Sequence, residues 1–118
     1  MLDAQKQANV KPSNNSRYGY LDLVQACIEL KETRRESIAQ WYSVTNTCSM
    51  KVKFFSAPDS PTYGSLKILS PGQTGTSWWN YVKKPKLPWV ACPADAPNGN
   101  IVSVEGDANG PVACRYLL

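Results

Sequence analysis

Proline and glycine set the first limit on this chain. Nine prolines and seven glycines are spread along its 118 residues, so few stretches could carry a helix that neither residue interrupts. Proline removes an intrahelical donor and glycine lowers helix stability, which excludes a large helical bundle. The segments between these breaks read instead as strands. Lys51-Val52-Lys53-Phe54 alternates polar and apolar residues with period two and stops at the turn cluster Ala57-Pro58-Asp59-Ser60-Pro61. Ser65-Leu66-Lys67-Ile68-Leu69 repeats the alternation and ends at Ser70-Pro71-Gly72, where Pro and Gly suit the central positions of a type II turn. Further strands are expected at 38–44, 78–82, 87–92, 101–104 and 112–117. Pro85, Pro88 and Pro93 cannot donate to a ladder, which places their segments at an edge or in crossing loops. The length is that of one domain. The predicted fold is mainly β: a single antiparallel β-sandwich or small barrel of about seven short strands.

The N-terminal third is less regular. Residues 1–17 are polar without a periodic apolar face and read as a flexible arm, leaving 18–118 as the β domain. Between Tyr18 and Glu32 the pattern fits either period: one short turn of helix is allowed at 20–25, with a strand from about Ala26. Thr33-Arg34-Arg35-Glu36-Ser37 reads as a solvated hairpin tip.

Cys27, Cys48, Cys92 and Cys114 contain no Cys-x-x-Cys pair, so their spacing argues for two disulfides rather than a zinc site. Pairing Cys27 with Cys48 and Cys92 with Cys114 closes two loops of similar length, each within its own half of the chain. Loops of this size are worth roughly 3 kcal/mol each in the chain-entropy account. Disulfides imply an oxidising compartment, so the protein is expected to be periplasmic or secreted, with its leader removed. No apolar stretch is long enough to cross a membrane.

Histidine is absent, which removes the commonest general base and the commonest zinc ligand. Glu105-Gly106-Asp107-Ala108-Asn109-Gly110 begins like a calcium loop, but Tyr116 stands where the bidentate Glu belongs. No catalytic residue, metal or cofactor is expected, and the chain is read as a non-enzyme. Residues 51–86 hold six lysines against the single acid Asp59. Lys51, Lys53 and Lys67 are expected on the solvent face of adjacent strands, where they could also serve solubility. Trp78 and Trp79, being neighbours on a strand, cannot both face the core, and one of them should be available for contact. The expected binding residues are therefore Trp78, Trp79, Tyr81, Lys83, Lys84, Lys86 and Trp89, a basic and aromatic cluster suited to an acidic protein or glycan. Nucleic acid is the weaker partner for such a chain.

Cys27, Asn46-x-Cys48 followed by Val52, Leu69-Ser70-Pro71-Gly72 and Ala91-Cys92-Pro93 together resemble small disulfide-bonded, β-rich bacterial cell-envelope domains of uncharacterised function. The resemblance covers about 27–93. It implies a strand, a buried Asn-x-Cys edge, a second strand and a Pro-Gly turn, and an envelope location, without an activity. The function expected is a non-catalytic extracytoplasmic binding module for an acidic macromolecule. The alternative is an inhibitor or immunity protein that blocks an enzyme such as a cell-wall hydrolase, with Pro85, Pro88, Pro93 and Pro97 stiffening an inserted loop.

Overall fold

The computed structural model describes residues 18–59, 62–80, 82, 85–97 and 101–118. The fold is mainly β and antiparallel, as the turn spacing predicts. Among the described residues there are nine strands: β1 (Tyr18–Leu21), β2 (Ile28–Arg35), β3 (Ala39–Asn46), β4 (Val52–Ser56), β5 (Ser65–Leu69), β6 (Thr74–Asn80), β7 (Trp89–Pro93), β8 (Ser103–Glu105) and β9 (Ala113–Leu117). They form three sheets of three strands, ordered β1-β9-β8, β2-β3-β6 and β5-β4-β7. The helical turn expected at 20–25 is displaced: Tyr20 and Leu21 belong to β1, and a 3₁₀ turn follows at Gln25–Cys27, so that β2 starts at Ile28. Among the described residues no helix is long and apolar enough to cross a membrane.

The β5-β4-β7 sheet lies between the other two. Phe55, Val90 and Cys92 on one face pack with Val112, Cys114 and Tyr116 at β9. Val52, Phe54 and Leu69 on the other face pack with Val44 of β3, joined by Ile28 and Leu30 of β2. Every residue of β4 is therefore buried. Each large apolar side chain taken out of water there contributes about 2 kcal/mol. The four cysteines pair Cys27–Cys48 and Cys92–Cys114, as expected, and none is free. The second bridge spans the layer between β7 and β9; the first ties the 3₁₀ turn to the loop after β3. Such pairing suits a compartment outside the reducing cytoplasm.

Asn46 closes the end of β3 where it meets the central sheet. Its Nδ2 donates to the carbonyls of Met50 and Leu69, both at 2.9 Å, and its Oδ1 accepts from the Cys48 N–H at 2.8 Å. Its own N–H donates to the Gln73 carbonyl at 3.0 Å, and its carbonyl accepts from Gly72 at 2.7 Å. Gly72 can do this because the Pro71-Gly72 turn needs a positive φ, here +82°, which glycine adopts without a steric penalty. Gln73 N–H closes that turn on the Ser70 carbonyl at 2.9 Å.

Three further segments differ from the sequence-based expectation. Arg34 and Arg35 belong to β2, and the hairpin tip is shifted to Glu36-Ser37-Ile38, because β2 and β3 stay paired out to Arg35 and Gln40. Lys53 is 5% exposed rather than solvent-facing, since β4 is covered on both sides. Its Nζ donates to the Val102 carbonyl at 3.1 Å. In β5 the alternation holds with its sense inverted: Leu66 and Ile68 are exposed, while Lys67 is half-buried on the face shared with Val52 and Phe54.

Loss of the three side-chain bonds in Asn46→Ala should cost about 3 kcal/mol or more, because two carbonyls and an N–H lose their partner inside the protein. Urea denaturation checks this; a loss under about 1 kcal/mol would contradict it. Burial lowers the Lys53 pKa below the ordinary value of 10.5, with Asp95 partly opposing. The folded chain then holds that proton less firmly than the unfolded chain. Its effect on stability is least favourable below the folded pKa and improves as pH rises towards 10.5. The stability of the parent relative to Lys53→Met should therefore rise over that interval, with the tyrosines cancelling in the difference. A flat or falling difference in denaturation free energies would refute it.

Candidate binding surface

The β2-β3-β6 sheet has one face turned to the core through Ile28, Leu30 and Val44 and one turned away. Strand alternation fixes what the outer face carries. Its rows, read across the three strands, are Arg34, Trp41 and Trp78, then Lys31, Ser43 and Thr76, then Glu29, Thr45 and Thr74. The β-bulge between Glu32 and Arg34 sets the first row: without it Thr33 would stand opposite Trp41. Instead the Arg34 guanidinium lies 4.6 Å from the centroid of the Trp41 ring, and its Nε is 3.2 Å from Glu36 Oε2. Trp41 and Trp78 are tilted neighbours with centroids 5.9 Å apart. Both are half-buried, so each leaves part of its ring at the surface. Trp41 Nε1 is buried and has no hydrogen-bond partner among the described residues. Thr45 and Thr74 share a hydrogen bond of 2.8 Å between their hydroxyls.

Two clefts meet at Trp41. One, of about 360 Å³, is bounded by Thr33, Arg34, Trp41 and Thr76. The other, of about 220 Å³, opens between the edges of β5 and β6. These strands are joined by the Pro71-Gly72 turn, yet they enter different sheets and share no ladder. Close to the turn they touch, because Gly75 has no side chain: a Cβ there would sit 3.3 Å from Lys67 Cδ. At the far end the Asn80 N–H donates to the Pro58 carbonyl at 2.6 Å. Between these two contacts the edges stand apart. Trp41, Trp78, Ser56, Ser65, Ser77 and Lys67 are among the residues lining the gap. Among the described residues lining the two clefts, the ionisable groups are Arg34 and Lys67, with no carboxylate.

Of the residues expected from sequence to bind a partner, Trp78 reaches this surface. Trp79 turns inward, 2% exposed, and stacks on Tyr42 with centroids 4.1 Å apart. Trp89 stacks on Phe54 at 5.3 Å, and its carbonyl accepts from Gln25 Nε2. Lys86 is exposed, but Pro85 and Pro88 beside it are buried, and the Leu87 N–H is held by the Ala108 carbonyl at 2.9 Å. Tyr81, Lys83 and Lys84 lie outside the described residues. Sequence reasoning did not select Trp41, Arg34 or Lys67 for binding. The available signal was the doublet Trp41-Tyr42, which like Trp78-Trp79 sends one ring to each face. The acidic segment has other work: Glu105 Oε1 accepts from Tyr20 at 3.0 Å and pairs with Arg115 at 3.1 Å. Asp107 Oδ1 accepts the Asn109 N–H at 2.9 Å within its own turn.

The opposite orientations of the two adjacent tryptophans have a measurable consequence. Trp79→Ala should lose about 3–5 kcal/mol of stability, as expected for an emptied core site, and Trp78→Ala about 1 kcal/mol. Equal losses in urea denaturation would contradict the assignment of one ring to each face.

Compared with known proteins, the chain matches no family model, no curated protein and no solved structure.

Proposed function

We propose that this chain is a non-catalytic binding module of the bacterial cell envelope, periplasmic or secreted, that holds an acidic glycan on the outer face of its β2-β3-β6 sheet. The observation that carries this reading is the Trp41–Trp78 pair set among hydroxyl-bearing rows, with Arg34 and Lys67 as the ionisable groups of the adjoining clefts. Indole rings offer flat apolar area to the C–H face of a sugar, while Ser43, Thr45, Thr74 and Thr76 offer hydroxyls that both donate and accept. The rows contain no aliphatic side chain, whereas a protein partner would favour a desolvated apolar centre. Arg34, beside its Glu36 partner, and Lys67 give the described lining of the two clefts a cationic character, which favours an anionic polymer.

Glycoside hydrolysis ordinarily requires two carboxyl groups flanking the bond, and none is among the described residues lining either cleft. The inhibitor alternative needs a stiff projecting loop, but Pro85 and Pro88 are buried and Pro93 ends β7. Residues 85–93 thus lie against the body of the protein, and Pro97 is exposed; neither observation favours the alternative.

Titration calorimetry against purified acidic envelope polysaccharides tests the proposal. The parent should bind, and Trp41→Ala and Trp78→Ala should each weaken binding about tenfold or more. Binding unchanged in both variants would overturn it.

A further inference from the structure

The cleft between the β5 and β6 edges differs from the open sheet beside it. Its volume of about 220 Å³ corresponds to roughly seven waters of bulk liquid, comparable with one hydroxylated six-membered ring. One wall is aromatic, from Trp41 and Trp78. The others carry the hydroxyls of Ser56, Ser65 and Ser77. Among the described residues lining it Lys67 is the ionisable one, and the stem of that lysine runs against the backbone at Gly75. A flexible cation is thereby given a fixed approach. One ammonium, with no carboxylate among the described lining residues, matches a single negative charge. A phosphate monoester, carrying close to two, would be left half-neutralised.

We propose that this cleft seats one carboxylate-bearing sugar of the bound glycan, a uronic acid unit, with its ring face on Trp78 and its carboxylate on Lys67 Nζ. This rests on the outer face being a glycan surface. It adds the chemical class of the unit recognised and assigns recognition of its charge to Lys67. Sugars on either side of that unit extend over Trp41 towards Arg34, because Trp41 and Thr76 line both clefts.

The test uses the full chain and linkage-matched trisaccharides: uronic acid trimers in the galacto and gluco configurations, and the same trimers with their carboxyl groups reduced to primary alcohols. At low salt at least one acidic trimer should bind about tenfold or more tighter than its reduced counterpart, the scale of a charge-assisted contact. Lys67→Met, which keeps the stem over Gly75, should abolish that preference by weakening the acidic trimer far more than the reduced one. Lys67→Arg should retain part of the preference. Lys51→Met, which removes an exposed lysine at the start of β4, should retain all of it, separating a local contact from net charge. Unchanged thermal unfolding of Lys67→Met would show that the fold is intact. If the reduced trimers bind as well as the acidic ones, or if Lys67→Met keeps the preference, the uronic acid assignment is overturned. Dependence on Trp78 in that case would leave the glycan surface standing. If no trimer binds, the assignment is likewise overturned, and the polysaccharide titrations with Trp41→Ala and Trp78→Ala decide the broader reading separately.

Discussion

The five hydrogen bonds of Asn46 hold together the parts on which the binding surface depends. This residue ends β3, touches the end of β5, closes over the loop that begins β4 and receives the Pro71-Gly72 turn that leads into β6. An asparagine buried without partners would destabilise the core, but here both side-chain amide hydrogens and the side-chain oxygen are engaged. The Cys27–Cys48 bridge next to it adds a covalent limit on how far β2 can separate from the same corner. Because β5 and β6 leave this knot for different sheets, the angle between them is set there. The gap beside Trp78 follows from that angle.

Stacking three small sheets gives a short chain two thin cores in place of one thick one. The middle sheet has to be apolar on both faces, and β4 meets this with Val52 and Phe54 on one side and Phe55 on the other. Lys53 is the exception. Its aliphatic stem fits among apolar neighbours, and its charged end reaches the Val102 carbonyl. The edge of β7 is not left open either: Val24 donates to the Ala91 carbonyl, and Gln25 Oε1 accepts from the Ala91 N–H, so the chain before β2 covers it.

Strand content, the Pro71-Gly72 turn and both disulfides were legible because each depends on local chemistry: period-two patterning, a required positive φ, or the spacing of cysteines. The layering was not. Lys51-Val52-Lys53-Phe54 reads as a half-exposed strand, and only the doublet Phe54-Phe55 breaks the alternation in the way a strand covered on both faces requires. β1 escaped for another reason: Gly19 carries no side chain, and its place in the pattern is filled by the ring of Tyr116 from β9. The binding surface was half legible. One of two adjacent tryptophans had to face outward, but the sequence does not say that Trp41 would stand opposite Trp78. A bulge between Glu32 and Arg34 then decides which cation lies on Trp41, and bulge positions depend on long-range pairing.

The connectivity of the bridges bears on how such a chain acquires its fold. Cys27 pairs with Cys48 and Cys92 with Cys114, so the first cysteine is bonded to the second and the third to the fourth. For a chain delivered N-terminus first into an oxidising space, joining cysteines in their order of arrival gives the native pattern directly. The first bridge can close before β5 has arrived, at the corner where Asn46 will later receive the turn. Neither bridge has to wait for a cysteine beyond its nearest neighbour, and no wrongly paired intermediate has to be opened and rearranged on the way.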